Sequence, residues 1–148
     1  MNTEKALVVI DMQPYFPATK KALRPVISEV KRAMKHEVPI LLVELHNGYD
    51  DFGITHGSIT RAVEGYPYVQ LVHKAYNDGS VEVKKALDEQ WGLGKETALE
   101  VCGVNTGACV ADTAQGLAKK GFDVTVIQKA CGDGDGYHDS QIELWHEN

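Results

Sequence analysis

The sequence is poor in several features that would each have fixed a class. It has three cysteines in 148 residues, Cys102, Cys109 and Cys131, and no two of them form a Cys-x-x-Cys pair. An odd, scattered set argues against a disulfide framework or a zinc ribbon, and points to a reducing compartment, the cytoplasm. There is no basic surplus either: 15 Lys and Arg stand against 21 Asp and Glu, for a net charge of -6. That argues against nucleic acid and anionic membrane as partners, although a local lysine can still meet an acidic substrate. No N-terminal apolar run reaches the length of a signal core or a membrane span, since the first covers only residues 6–10. The stretch from Gly103 to Gly107 is not a dinucleotide-binding G-x-G-x-x-G. No arginine closes an anion cradle shortly after Cys102 or Cys109, as a cysteine phosphatase would require. Asp133-Gly134-Asp135-Gly136 lacks the remaining ligands of a calcium loop and reads as a solvated turn.

What is present is enough apolar residues, 43%, for the core of one domain spanning 1–148. Residues 6–10, 38–45, 68–73, 97–102 and 122–128 are short apolar runs, as suit strands covered on both faces. Between them, Pro25 can open a helix at its first position, with Leu23, Ile27, Val30 and Met34 at helical spacing. Ser80 is a candidate N-cap for a helix running to Trp91, which Gly92 and Gly94 end. Residues 47–67 are rich in Gly, Tyr and Asp and read as a long loop with a helical turn near 58–63. A helix over 107–120 stops at Lys119-Lys120-Gly121, and a short last helix is expected over 139–146. Alternation of strand and helix predicts an α/β fold with a mostly parallel, doubly wound sheet of about five strands. Ligands of such sheets lie beyond the carboxyl ends of the strands.

Three chemically useful residues fall at those ends. Asp11 closes the first run, Lys74 follows the third, and Cys109 sits in the first turn after the fourth. The N-terminal end of a helix offers unpaired N–H groups and a positive dipole, so the thiol pKa of Cys109 is expected to be lowered there. A carboxylate beside a thiol can take its proton, and the thiolate can attack a carbonyl to form a thioester. Taken singly, Asp11 reads equally as a turn cap, Lys74 as a surface lysine and Cys109 as a small buried residue.

The motifs Ala-Leu-Val-Val-Ile-Asp-Met-Gln over 6–13, Lys74 after a short strand, and Gly-Val-Asn-Thr-Gly-Ala-Cys-Val-Ala-Asp-Thr over 103–113 resemble the isochorismatase-like cysteine hydrolases. That superfamily includes nicotinamidases and carbamoylsarcosine amidohydrolases. The resemblance runs from about residue 6 to about residue 131. It implies a three-layer α/β/α sandwich and a catalytic trio of Asp11, Lys74 and Cys109. It also implies a cis peptide at Val104–Asn105, which would bring the N–H groups of Asn105 and Cys109 together as an oxyanion hole. True isochorismatases lack the nucleophilic cysteine, so Cys109 points to hydrolysis of a small amide, carbamoyl or related C–N substrate. Nicotinamidases carry an Asp-x-His metal motif followed by a close second His. Here that region reads Glu44-Leu45-His46, and the next His is His56, ten residues on. No complete ligand set is readable, so no metal or other cofactor is expected.

Tyr15, Phe16, His46, Tyr76 and Asn77 are candidates for the substrate-binding wall. The chain is short for a member of this superfamily, with too little after Gly136 for a full sixth strand. An uncovered sheet edge of that kind, with the resemblance, leads to the expectation of a homo-oligomer, a dimer or larger. The alternative reading is a catalytically silent binding or regulatory protein on the same fold. A third is a thiol redox or acyl-carrying protein that uses Cys109 without hydrolysis.

Overall fold

The computed structural model describes residues 1–134. In chain order it runs β1 (Lys5–Ile10), α1 (Ala18–Lys35), β2 (Ile40–Leu45), α2 (Gly57–Ala62), β3 (Val69–Lys74), α3 (Ser80–Trp91), β4 (Ala98–Val104), a π-helical turn (Thr106–Val110), α4 (Ala111–Lys119) and β5 (Val124–Gly132). The five strands form one sheet in the order β3-β2-β1-β4-β5, and every neighbouring pair is parallel. The expected short helix over 139–146 lies outside the described residues.

The apolar runs form these strands because both sheet faces are covered. Leu7, Val9, Ile40 and Leu42 point into one core with Ala22, Val26 and Val30 of α1 and Ile59 of α2. Ala6, Val8, Ile10, Leu41 and Val43 point into the other with Val83 and Leu87 of α3 and Leu117 of α4. Residues alternate between the faces, so a strand in the middle of such a sheet needs apolar side chains at every position. The result is three layers, helix on sheet on helix.

Three local expectations are corrected. α1 begins at Ala18, behind Pro17, and Pro25 lies inside it. The helix absorbs the missing N–H because Ala22, Val26 and Val30 around it are fully packed on the sheet. Its buried stripe is therefore centred on these small residues, with Leu23, Ile27 and Met34 at the margin. Ser80 is the first residue of α3, not its cap; Gly79 is the cap residue, and Asp78 Oδ1 accepts the Ser80 N–H at 2.8 Å. The helix expected over 107–120 does not begin as an α-helix: a π turn over Thr106–Val110, preceded by Asn105, comes before α4.

One glycine is dictated by the sheet. Gly103 has φ 117, and a Cβ there would stand 2.1 Å from the Ile10 carbonyl oxygen. No side chain fits between β1 and β4 at that point. This is where the strand order reverses, with β1 followed by β2 on one side and β4 on the other.

Candidate active site

β1 delivers Asp11 to that crevice with an unusual backbone. Continued in extended form, Asp11 would follow Leu7 and Val9 toward the α1 face. Instead its φ is 51, a left-handed conformation rare for residues other than glycine and asparagine or aspartate. The alternation is broken, and the carboxylate meets Lys74, which shares the parity of Val72 on the other face. Lys74 Nζ donates to Asp11 Oδ2 at 3.0 Å and to the Tyr76 carbonyl at 2.9 Å. Both side chains are essentially without solvent contact. Among the described residues, no nitrogen or oxygen donor reaches Asp11 Oδ1.

Cys109 reaches the same place from the π turn, and is buried. Its thiol is the third member of the cluster, close enough to alter the acidity of Asp11 and to be altered by it. Burial pushes the Asp11 carboxyl up from its ordinary value, against the pull of the Lys74 ammonium. The expected lowering of the Cys109 pKa is not what the site produces. Burial, and then the negative charge of Asp11, push the thiol up to about 12, outweighing Lys74. Cys109 rests as a neutral thiol, with Sγ 3.5 Å from Asn77 Oδ1 and the Asp11 carboxylate also within its hydrogen-bonding reach.

The peptide bond between Val104 and Asn105 is cis. Asn105 accepts the N–H of Gly134 with its side chain at 3.1 Å, and Gly107 N–H donates to Asp133 Oδ2 at 2.9 Å, so residues just after β5 fasten the turn that carries Cys109.

The pocket candidates divide. Asn77 joins the site through its side chain and Tyr76 through its carbonyl, whereas the Tyr76 ring is 78% exposed. Tyr15 and Phe16 meet Phe52 in a cluster of three rings, with centroids 4.9–5.4 Å apart. Gln13 makes that meeting possible. Fully buried, it bonds both the N–H and the carbonyl of Leu45, and the carbonyl of Gly53, tying the loop after β1 to the loop after β2.

His46 belongs to a second cluster, with Glu44 and a residue that the sequence reading did not single out, His73. Glu44 and His73 are register partners on β2 and β3. Glu44 Oε1 lies 2.9 Å from His46 Nε2 and 3.4 Å from His73 Nε2. Its Oε2 accepts the backbone N–H and the hydroxyl of Thr55 at 2.7 and 2.6 Å. Burial alone would raise the Glu44 carboxyl, but hydrogen bonds from Thr55 and His46 bring it below its ordinary value. One ligand atom from each of Glu44, His46 and His73 lies within 4.8 Å of the others. Two imidazoles and a carboxylate, the latter oriented by Thr55, suit a divalent transition metal. His56 is not the third member; its ring accepts the Ser58 N–H at 3.1 Å and caps α2. No spacing rule pointed to His73, because the register of two strands brings it beside Glu44.

The family model of the isochorismatase domain matches residues 5–146. No curated protein matches the sequence. Among solved structures, the nicotinamidase of Staphylococcus aureus superposes with a TM-score of 0.81 at 16% identity, covering 99% of this chain and 96% of that one. A nicotinamidase/pyrazinamidase of Bacillus subtilis gives 0.79 at 18% identity, covering 98% and 96%. An isochorismatase family protein of Desulfovibrio vulgaris gives 0.76 at 21%, covering 99% and 91%. At these identities the likeness to solved structures carries the fold and not the substrate.

Proposed function

The chain belongs to the isochorismatase-domain family, and on that premise we propose that it is a cysteine-dependent hydrolase of a small amide, carbamoyl or related C–N substrate. The observation that supports this most directly is the buried Asp11–Lys74 pair beside the Cys109 thiol. A burial so complete makes little sense for a structural ion pair, which a pair of apolar residues would match in stability.

In this reading Asp11 takes the thiol proton as the sulfur forms its bond to the substrate carbonyl carbon. Lys74 keeps Asp11 ionised in the resting site and offsets the charge that moves onto sulfur. The carbonyl oxygen becomes an oxyanion facing the N–H groups of Asn105 and Cys109. Collapse breaks the C–N bond, and the departing nitrogen takes the proton from Asp11. Water then attacks the thioester, giving its proton to Asp11, and the carboxylic product leaves as the sulfur is reprotonated. Burial of the thiol fits this order of events, since proton transfer is coupled to attack and no free thiolate has to be maintained.

Glu44, His46 and His73 would hold a divalent metal, which when bound supplies a Lewis-acid anchor for a lone pair of the substrate. The ring cluster of Tyr15, Phe16 and Phe52 offers an apolar wall for a flat or hydrophobic acyl group. The protein acts in a reducing cytoplasm, as a homo-oligomer, on a freely diffusing small molecule.

Incubation with a panel of primary amides and carbamoyl compounds, followed by intact mass spectrometry, tests the proposal. A hydrolysed substrate and a transient acyl adduct on Cys109 are expected. Cys109→Ala should lose turnover and adduct while keeping its melting temperature, since Ala is well tolerated in a helical turn. Turnover by that variant near the level of the unaltered protein would overturn the assignment.

A further inference from the structure

β5 does not run evenly beside β4. Val101 pairs with Val126, but Gly103 pairs with Cys131 and Val104 with Gly132. An even ladder would set Gly103 beside Gln128 and Val104 beside Lys129. The extra residues form a bulge, within which Cys131 Sγ lies 3.3 Å from the Ile127 carbonyl oxygen. The bulge carries the end of β5 level with the turn that bears Cys109. Gly132 is seated there against α1, since a Cβ on it would stand 3.3 Å from the Ala18 carbonyl oxygen. The next two residues reach across to the turn. The Gly134 N–H donates to Asn105 Oδ1 at 3.1 Å, and Asp133 Oδ2 accepts the Gly107 N–H at 2.9 Å. Asn105 and Gly107 flank Thr106, so the turn is held at two points. The Asn105 carbonyl is engaged as well, by the N–H groups of Ala108 and Val110 at 3.1 Å each, on either side of Cys109.

We propose that Asp133 is a positioning residue for the oxyanion: by holding the Gly107 N–H it fixes the path of the chain between Asn105 and Cys109, whose N–H groups must converge on one oxygen. This rests on the reading of Cys109 as the nucleophile of a carbonyl-directed hydrolase, and names what keeps the donors in place. Oxyanion donors act by being aimed before the charge forms, so that no reorganisation is needed as it does. Gly107 is the point at which that aim is most easily lost. It is exposed, and a glycine has the widest choice of backbone conformations. A bond to its N–H from a residue anchored on β5 and α1 removes that choice. The charge of Asp133 is not what the turn requires. A carboxylate at the start of a helix is favourable, but beside a forming oxyanion its charge is repulsive. The role belongs to the acceptor oxygen, and an amide oxygen would fill it.

Carbon-13-labelled acetaldehyde tests this without hydrolysis. Its carbonyl carbon accepts the Cys109 sulfur: the C–S bond forms, the C=O π pair moves onto oxygen, and the thiol proton passes to Asp11. The thiohemiacetal is read by NMR as a signal absent from Cys109→Ala. Asp133→Ala should bind acetaldehyde roughly 10-fold more weakly, short of the ~10²–10³-fold that loss of a whole donor costs. Asp133→Asn keeps the acceptor and should bind it as the unaltered protein does. Iodomethane, which carries no carbonyl and builds no oxyanion, should methylate Cys109 at the same rate in all three. With an amide that is turned over, Asp133→Ala should lower kcat and leave KM in place. An unchanged aldehyde affinity in Asp133→Ala, a loss that Asp133→Asn shares, or methylation slowed in step with aldehyde binding overturns the role of Asp133 alone. An unaltered protein that forms no thiohemiacetal overturns the hydrolase reading, and with it the oxyanion that Asp133 serves.

Discussion

In the proposed mechanism the Asp11 carboxylate is the base for the thiol, and its charge also helps hold that thiol at about 12. Asp11→Asn should cut hydrolysis by ~10²–10⁴-fold, the usual worth of a positioned base. Alkylation of Cys109 at neutral pH should slow as well, since the sulfur then attacks without the carboxylate that takes its proton. An unchanged alkylation rate would show that Asp11 is not the base. The pH profile follows from the same group. Asp11 must be ionised to act and its carboxyl is raised above 3.8, so kcat/KM should fall on acidification in a limb lying above that value. For stability the sign is opposite: a raised folded pKa means the proton is held more tightly by the folded chain. The stabilisation from a protonated Asp11 is complete below 3.8 and is lost as pH rises through the folded value. A rate profile and a set of melting curves between pH 3 and 8 separate the two effects.

At the scale of elements, the clearest gain over the sequence is the alignment of β2 with β3. It sets His73, far along the chain, beside Glu44 and His46 and so completes a set of three candidate ligands. After removal of adventitious metal, zinc should stabilise the fold at neutral pH by about 2.7 kcal/mol at a hundredfold excess over Kd, and so raise the melting temperature. The effect should disappear in His73→Ala. Scanning calorimetry with and without zinc checks this; an identical response in His73→Ala would show that the ion sits elsewhere. The central strands β1, β2 and β4 were readable because they are covered on both faces and so had to be nearly continuous apolar runs. Helix starts were less readable. Pro25 mimicked an N1 position while the helix around it was fixed by packing of Ala22 and Val26. Ser80 mimicked a cap while Gly79 was required by the Lys74 stem. Asp11, Lys74 and Cys109 could be placed together because strand ends converge by topology. The direction of the thiol pKa could not be, because burial outweighs the helix start and burial is a tertiary property.

At the scale of the molecule, both edges of the sheet, β3 and β5, are unpaired among the described residues. β3 pairs only with β2, and Leu71 on it is 48% exposed. Gln70, Leu71 and His73 line a depression there with Glu82, Lys85 and Glu89 of α3. A parallel sheet is normally covered on all sides, and an exposed strand edge with an apolar side chain invites a partner. A second copy of the chain is the occupant consistent with a negative net charge only if the charges alternate, and Lys85 between Glu82 and Glu89 supplies such alternation. Light scattering should therefore give the mass of a dimer or larger at micromolar concentration. Leu71→Glu should lower the measured mass toward the monomer, and high salt should weaken the assembly, because exposed ion pairs are screened. A monomeric mass for the unaltered protein would show that β3 is a free edge and would remove the oligomer from the account. The edge also bears on the site, since His73 and Lys74 end this strand. If the partner covers β3, Leu71→Glu should lower kcat/KM together with the mass, through Lys74. A lowered mass with full activity would separate assembly from catalysis.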